Sequence, residues 1–306
     1  MHERSHPDNS GQVRWAVLLA LVVAVAGAAT WWFLRTPSTA FVIHRDLEFA
    51  KVGEQSLLLD LYIPTDRTTP PPVVIWLHGG AWQWGDKQHN PLRWLALEGY
   101  AIVTVDYRLS GTATFPAAIH DCKAVVRWLR ANQDRYGFDA RRVVAAGSSA
   151  GGHLATLLGV TNGHAQLEGT VGPHLDQSSE VHAIIDYFGP ADLTAYQDRE
   201  GKDLTSAVAL FLGNNPWEVP ELARLASPLF HLDAQDPPIL ILHATADPIV
   251  DVQQSQRLHE ACTKLGIDSQ LVLVKSNEHD APVFYDEQRR QLVRTFLHKH
   301  LPRSNP

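Results

Sequence analysis

A serine surrounded by small residues is the first candidate for chemistry in this sequence. Residues 145–153 read AAGSSAGGH, and within them the pattern Gly-x-Ser-x-Gly has Ser149 at its centre. A strand-like run precedes the pattern and a helix-like run follows it, which is the context in which a sharp turn exposes a serine hydroxyl. Small neighbours are needed because strand and helix approach closely there. The pattern favours Ser149 over Ser148 as a nucleophile, and a purely structural glycine turn is the alternative.

Two later residues could activate such a nucleophile. A serine hydroxyl reacts poorly until a base removes its proton, so we expect a histidine that is oriented by a carboxylate. Asp247 follows the apolar run PPILILHA and His279 follows SQLVLV, so each comes just after a predicted strand. We predict Asp247 as the acid and His279 as the base, in the order that this type of strand–turn–helix fold uses. Asp251 is the alternative acid, while His153 and His243 lie in or beside regular elements, where packing is the expected role.

A glycine-rich turn is the candidate site for a developing negative charge. The stretch LHGGAWQWGD, residues 77–86, ends the third predicted strand. The tetrahedral intermediates of acyl transfer are stabilised by fixed backbone N–H groups. We predict that the amides of Gly80, Ala81 and Ala150 form this oxyanion hole, and that His78 braces the turn by hydrogen bonding. An ordinary strand-to-helix turn is the alternative.

The elements that must position these residues alternate between strand-like and helix-like patterns. The predicted strands cover residues 41–50, 56–64, 71–80, 100–108, 141–149, 181–190, 237–244 and 269–276. The predicted helices cover residues 117–136, 150–162, 251–265 and 284–301. Several strands are continuous runs of Val, Ile and Leu, as in parallel strands that are buried on both faces. The pattern predicts an α/β fold with an eight-stranded, mostly parallel sheet whose first two strands are antiparallel.

One segment interrupts this alternation. Residues from about 191 to 232 are helical in places and lie between the sixth and seventh predicted strands. Because active sites of such sheets lie at the carboxyl ends of the strands, we predict that this insertion forms a small cap over that edge. Trp82 and Trp84 follow the glycine-rich turn and either line the mouth of the site and bind substrate or pack beneath the cap. We assign residues 1–40 to an N-terminal segment with a linker, and residues 41–306 to the catalytic domain.

The composition argues against several classes of function. The chain has 306 residues, of which 45% are hydrophobic and 19% are charged, as in an ordinary globular protein. Its 26 Lys and Arg against 33 Asp and Glu give a net charge of −7 without a basic block, so nucleic acid is not an expected partner. Most of the 16 histidines are expected to be ordinary surface or core residues, and we predict no metal site. Cys122 and Cys262 are predicted to be free, buried thiols, with a disulfide as the alternative.

The N-terminus differs in kind from the rest of the chain. Residues 15–34 read WAVLLALVVAVAGAATWWFL, an uncharged run between Arg14 and Arg35. About twenty helical residues span the roughly 30 Å hydrocarbon core of a bilayer. We predict a single membrane anchor with the catalytic domain outside the cytoplasm. A signal peptide cleaved near the small residues of positions 24–28 is the alternative and would give a secreted protein, and a buried core helix is a third option.

The sequence resembles the α/β-hydrolase superfamily over roughly residues 45–300. The stretches HGGAWQWGDK, AAGSSAGGH, DYFGPADLT and LHATADPIVD are similar to those of the esterase/lipase group, in particular to bacterial feruloyl-esterase-like and acetyl-esterase-like carboxylesterases. The resemblance implies a triad of Ser149, Asp247 and His279, with no metal and no organic cofactor. The family often has a glycine before its catalytic histidine, whereas this chain reads SNEHDAP, so the resemblance does not extend to the loop around His279.

The function expected on these grounds is that of a serine hydrolase that cleaves carboxylic esters. The predicted cap is short, which favours small or medium acyl groups in a small-molecule ester. An aryl formamidase or a peptidase-like amide hydrolase on the same scaffold is the first alternative. A catalytically silent, membrane-bound interaction protein is a more distant one, because such proteins usually lose the serine or the histidine that this chain retains.

Overall fold

A computed structural model describes residues 41–196 and 205–301 of the chain. The predicted membrane segment, residues 15–34, lies outside the described residues, and so does part of the predicted cap. Within the described ranges, no helix combines the length and the apolar character that crossing a bilayer requires. These ranges contain eight β-strands in one sheet, with helices on both of its faces.

All eight predicted strands and all four predicted helices are present. The strands are β1 (Phe41–Val52), β2 (Gln55–Pro64), β3 (Pro72–Leu77), β4 (Ala101–Val105), β5 (Asp139–Ser148), β6 (Ala183–Tyr187), β7 (Ile239–Ala244) and β8 (Ser269–Val274). The α-helices are α1 (Ala117–Tyr136), α2 (Ala150–Val160), α3 (Ala165–Glu168), α4 (Thr205–Leu212), α5 (Pro220–Leu225), α6 (Gln253–Leu265) and α7 (Glu287–His300). Short 3-10 helices cover Arg93–Glu98, Leu193–Ala195, Pro228–Phe230 and Pro282–Tyr285.

The sheet is mostly parallel, as predicted. Its strand order is β1-β2-β4-β3-β5-β6-β7-β8. β1 pairs antiparallel with β2, and β2 pairs antiparallel with β4. The pairs from β4 through β3 to β8 are parallel, so the carboxyl ends of six strands meet at one edge.

Two apolar layers cover the two faces of the sheet. Along β3 every residue is buried, and alternate side chains enter different layers: Val73 and Ile75 join the layer of α1 and α2, whereas Val74 and Trp76 join the layer of α7. Each such side chain contributes about 1.5–3 kcal/mol through burial. The continuous apolar runs in the sequence are therefore strands covered by helices on both sides.

Two element ends differ from the prediction for local reasons. The third strand was expected to reach residue 80 but ends at Leu77, because a turn with consecutive positive φ angles begins soon after it. The last helix was expected from residue 284 but begins at Glu287. Asp286 caps that helix, since its side chain accepts a hydrogen bond from the amide of Arg289 at 2.9 Å.

The insertion between β6 and β7 supplies helices α4 and α5 at the predicted place in the chain. On α4, the ring of Phe211 packs against Phe115 and Trp82, which belong to loops at the carboxyl edge of the sheet. The described part of the insertion therefore packs onto that edge.

The two cysteines are unpaired and buried, as predicted, on α1 and α6. Burial raises the pKa of the Cys262 thiol to about 11 and that of Cys122 well above its usual value. Neither thiol is therefore a thiolate at neutral pH.

Candidate active site

Ser149 lies in the sharp turn between β5 and α2. Its backbone has φ of 54° and ψ of −118°, a conformation that non-glycine residues rarely adopt, and its amide donates to the carbonyl of Tyr187 at 2.8 Å. A Cβ atom on Gly147 would overlap the backbone of Gly151, and one on Gly151 would overlap the carbonyl oxygen of Leu77. The glycines of the Gly-x-Ser-x-Gly pattern are thus required by close approach of strand and helix.

The predicted base and acid lie beside Ser149 in the predicted order. His279 Nε2 is 2.8 Å from Ser149 Oγ, and His279 Nδ1 is 2.7 Å from Asp247 Oδ2. A carboxylate oxygen accepts, so Nδ1 carries the hydrogen and Nε2 is free to accept the serine proton in the neutral ring. The three side chains form one continuous hydrogen-bonded relay from hydroxyl to carboxylate.

Asp247 is held ionised and in one orientation. Its Oδ1 accepts from the amides of Ile249 at 2.8 Å and Val250 at 3.0 Å. Burial by itself would raise the pKa of the Asp247 carboxyl. The contacts with His243 and His279 lower this pKa by more than burial raises it, so the pKa lies well below its usual range. Asp247 therefore presents a fixed negative charge to His279.

The alternative candidates from the sequence have other contacts. Asp251 is exposed, and its side chain accepts from the amide of Gln253 at 2.9 Å, at the start of α6. His153 is fully buried: it accepts from the Trp82 indole at 3.2 Å and lies 2.7 Å from the carbonyl oxygen of Ala226. His243 is fully buried as well. Among the contacts of the described residues, no side-chain hydrogen bond joins any of the three to the Ser149 hydroxyl.

The glycine-rich turn faces the same place. Gly80, Ala81 and Trp82 have consecutive positive φ angles of 113°, 54° and 58°. The carbonyl oxygen of Gly80 accepts from the amides of Gln83 and Trp84, and in a trans peptide the following N–H points the opposite way. The Ala81 amide is thereby directed away from the turn, which suits a donor to a bound oxyanion.

His78 braces this turn. Its Nδ1 is 2.7 Å from the carbonyl oxygen of Gly79, and its carbonyl oxygen accepts from the Tyr107 hydroxyl at 2.8 Å. The rings of His78 and Tyr107 stack with centroids 4.4 Å apart. Burial lowers the pKa of His78 and favours the neutral ring.

A cavity of about 350 Å³ opens beside Ser149. Its walls include the glycine-rich turn and His279, and its lining residues are His78, Gly79, Gly80, Ala81, Trp84, Gly85, His89, Ser148, Ser149, Ile249, His279 and Asp280. Trp84 is 64% exposed at this cavity. The structure therefore brings together Gly80, Ala81, Ser149 and His279, and it places Ala150 at the start of α2 directly after the serine.

Trp82 does not line the cavity, in contrast to its assignment as a candidate substrate-binding residue. Its ring is fully buried and stacks on Phe211 of α4 with centroids 4.6 Å apart and an interplanar angle of 17°. The structure thus favours the other interpretation of Trp82, packing beneath the inserted helices. Trp84, two residues later, is the member of the pair that reaches the site.

Sequence reasoning did not identify Phe188 or Tyr285. Phe188 follows β6 with φ of 47°, and its ring lies 4.6 Å from that of His279. Tyr285 donates to Asp280 Oδ1 at 2.9 Å, next to the relay histidine. Phe188 directly follows β6 at the carboxyl edge of the sheet. The sequence alone does not distinguish an aromatic residue that packs against a histidine of the site from one that belongs to the ordinary core.

The sheet order, the serine turn and the cavity define the chain as an α/β-hydrolase. The chain belongs to the BD-FAE family, whose model matches residues 59–262. It is 32% identical over 211 residues to Esterase LipC of Mycobacterium tuberculosis, an alignment that covers 66% of this chain and 51% of that protein. It is also 29% identical over 242 residues to Esterase LipQ of the same organism, over 77% and 56% of the two chains.

Solved structures show the same fold. A truncated carbohydrate esterase from gut microbiota has a TM-score of 0.77 at 29% identity, over 86% of this chain and 98% of that chain. A thermophilic esterase from Thermogutta terrifontis, solved with propionate bound, has a TM-score of 0.69 at 26% identity, over 88% and 97% of the two chains. The chain spans about half the length of the curated mycobacterial relatives that it matches.

Proposed function

We propose that this protein is a serine carboxylesterase that hydrolyses esters with small to medium acyl groups. The observation that carries the proposal is the relay at the cavity wall, with Ser149 Oγ 2.8 Å from His279 Nε2 and His279 Nδ1 2.7 Å from Asp247 Oδ2. These are the distances at which a base can take the proton of a nucleophile. The similarity to proteins named as esterases supports the same reaction class.

In the first half of the reaction, Ser149 Oγ attacks the acyl carbonyl carbon while His279 Nε2 takes the hydroxyl proton. Asp247 stabilises the imidazolium that forms, and the amides of Gly80, Ala81 and Ala150 donate to the oxyanion. When the tetrahedral intermediate collapses, the bond to the alcohol oxygen breaks and His279 returns its proton to that oxygen. The alcohol leaves, and the acyl group remains as an ester of Ser149.

In the second half, water replaces the alcohol. His279 takes a proton from the water as its oxygen attacks the acyl carbon, and the same amides bind the second oxyanion. Collapse of this intermediate breaks the bond to Ser149 Oγ, which regains its proton from His279. The carboxylic acid leaves, and no metal or organic cofactor takes part in the proposed cycle.

The neighbouring serines allow a matched test of the nucleophile. We expect Ser149→Ala to lose at least about 10³-fold in kcat for p-nitrophenyl acetate, because removing a triad member leaves only residual catalysis. Ser148→Ala should lose less than about tenfold, since its hydroxyl is not part of the relay. Labelling by a fluorophosphonate should disappear only in Ser149→Ala. Esterase activity retained by the Ser149→Ala protein would end the proposal.

The cavity supports a limit on substrate size. Its volume of about 350 Å³ lies near the lower end of the 300–1,000 Å³ typical of ligand pockets. We therefore expect acetyl, propionyl and butyryl esters to be cleaved with higher kcat/KM than decanoyl esters, measured on one chromogenic alcohol. A preference for decanoyl esters would contradict this limit.

An acyl ester of a sugar is a second candidate substrate. The observation that favours it is the exposed indole of Trp84 at the cavity wall, with Asp280 also among the lining residues, since an aromatic face beside a hydrogen-bond acceptor suits a hydroxyl-rich ring. We expect Trp84→Ala to raise KM for an acetylated sugar more than for p-nitrophenyl acetate. Equal changes in both KM values would count against sugar recognition by this residue.

We also propose that the N-terminal run anchors the protein in a membrane, with the catalytic domain outside the cytoplasm. The support is in the sequence alone: residues 15–34 carry no charge and are bounded by Arg14 and Arg35. The full-length protein should stay in the membrane fraction after carbonate extraction, whereas Leu19→Arg with Val23→Arg should release it, since each central Arg costs about 2.5–3.5 kcal/mol. A soluble protein with a mass that lacks the first residues would indicate a cleaved signal peptide instead.

A further inference from the structure

A second histidine, His243, contacts Asp247, the acid of the proposed triad. It is the last but one residue of β7 and is fully buried, and the loop that carries Asp247 begins after Ala244. Its Nδ1 is 2.7 Å from Ser255 Oγ on α6, and its Nε2 is 2.9 Å from the carbonyl oxygen of Val250. The same Nε2 lies 3.4 Å from Asp247 Oδ2.

These partners determine where the hydrogen on His243 lies. A carbonyl oxygen only accepts hydrogen bonds, so Nε2 carries a hydrogen whichever state Nδ1 adopts. That hydrogen is directed at Val250 O at 2.9 Å, and Asp247 Oδ2 lies at a longer distance, 3.4 Å, from the same nitrogen. The ring therefore always presents a donor, and never a lone pair, to the acid.

The contact completes the surroundings of the Asp247 carboxylate. Oδ1 accepts two backbone amides, while Oδ2 faces Nδ1 of His279 and Nε2 of His243. Four N–H groups thus surround the roughly four acceptor sites of a carboxylate. Rotation of the carboxylate would therefore break contacts at both oxygens at once.

His243 also holds the loop itself. Val250 donates its amide to Asp247 Oδ1 and offers its carbonyl oxygen to His243 Nε2, so one residue links the acid to the buried ring. Ser255 fixes the far side of the ring from the first turns of α6. The acid is thus tied to a strand and to a helix through a single imidazole.

We propose that His243 is a positioning residue of the triad: its Nε2–H group orients Asp247 and the loop that carries it, and through Asp247 it orients His279. The inference rests on the proposed esterase function, because the orientation matters only if His279 acts as the base. His243 does not touch the reacting atoms, so its effect belongs to kcat and not to substrate binding.

Two substitutions of similar polarity test the position of the donor. The amide nitrogen of Gln can reach the place of Nε2, whereas the shorter Asn reaches only the place of Nδ1. We expect His243→Asn to lower kcat by about 10- to 100-fold with KM within about twofold, as for loss of an outer-shell partner that orients a reacting group. His243→Gln should recover kcat to within about fivefold of the unchanged protein. Equal kcat values for Asn and Gln would overturn the proposal.

A double-mutant cycle with Asp247 tests the route of the effect. If His243 acts through the acid, His243→Asn should cost less than about threefold in a protein that already carries Asp247→Asn. A loss in that background as large as in the unchanged protein would show that His243 acts by general destabilisation. His182→Met is the matched control, because this half-buried histidine accepts from the amide of Val143 at the opposite edge of the sheet and should leave kcat unchanged.

Ester turnover and fluorophosphonate labelling of Ser149 are both measured for every variant. An unchanged protein that neither turns over esters nor reacts with the phosphonate would refute the proposed function. An active unchanged protein whose labelling rate and kcat are the same in His243→Asn would refute only the role of His243.

Discussion

Replacing Asp247 by asparagine tests the electrostatics of the site with the smallest change in shape. Oδ1 accepts the amides of Ile249 and Val250, so the asparagine carbonyl oxygen must take that place. The NH₂ group then occupies the place of Oδ2, where it meets Nδ1 of His279 and Nε2–H of His243. The backbone around the acid thus decides which way the new amide points.

This orientation forces the wrong tautomer on His279. An NH₂ group donates, so Nδ1 must become an acceptor and the hydrogen moves to Nε2. Nε2 is the atom 2.8 Å from Ser149 Oγ, and once it carries a hydrogen it cannot take the serine proton. We expect kcat to fall by about 10⁴-fold, which corresponds to about 5.5 kcal/mol of transition-state stabilisation.

The assay is the steady-state hydrolysis of p-nitrophenyl acetate, with folded protein quantified by its thermal unfolding transition. Asp251→Asn is the matched control, because Asp251 is exposed. Within the described residues, the hydrogen bond of its side chain is to the nearby amide of Gln253. We expect its kcat within about twofold of the unchanged protein, as for a surface change away from the site. If Asp247→Asn kept more than a tenth of the activity while Asp251→Asn lost it, the acid would be Asp251 and the tautomer argument would be wrong.

Three further predictions concern stability. Gly151→Ala should lower the free energy of unfolding by about 1–3 kcal/mol because its Cβ overlaps Leu77 O, whereas Gly111→Ala, with open space around it, should change urea unfolding little. Trp82→Ala should cost about 3–5 kcal/mol in the same assay, since the buried ring packs against the inserted helices; an unchanged midpoint would contradict that packing. Burial lowers the pKa of His153 to about 4, so the unfolded chain binds a proton that the folded chain does not as the pH falls from about 6.5 to 4. Stability should therefore drop by up to about 3 kcal/mol over that window, and the slope of unfolding free energy against pH should shrink in His153→Gln.

The fold followed from the sequence because its strands are apolar on both faces. In β3, in β7 and in β5 from Val143 onward the buried positions are contiguous, so a run of Val, Ile, Leu and Ala is enough to locate the strand. The ends of elements were less predictable, because they depend on contacts outside the local pattern. Leu77 ends its strand because a turn with consecutive positive φ angles at Gly80, Ala81 and Trp82 follows it, and no periodicity in residues 71–80 reveals that turn.

The candidate site residues could be proposed from the sequence where chemistry restricts the residue type. A nucleophile, its base and its acid require serine, histidine and a carboxylate after strands, and the sequence order leaves few candidates. Residues that act by shape or by orientation lack such a restriction. Trp82 and Trp84 have the same chemistry, and contacts with residues distant in the sequence, among them His153 and Phe211, bury the first and leave the second exposed.

The register of the sheet explains how distant residues reach hydrogen-bonding distance. Ser148 pairs with Tyr187, Tyr187 pairs with Leu242, and Leu242 pairs with Val272, so one row of residues crosses four strands just below the site. Ser149 lies one residue beyond this row. Strands β7 and β8 end two residues beyond it, and the loops that carry Asp247 and His279 begin there.

A slip of one residue in any of these pairings would move a loop by about 3.3 Å along the sheet and turn its side chains to the opposite face. The relay distances of 2.7 and 2.8 Å tolerate no such displacement. The pairing of buried strands, which the apolar pattern specifies for stability, is therefore also what sets the geometry of the proposed triad. Loops only complete it, and this is why a departure such as SNEHDAP in the histidine loop can leave His279 in place.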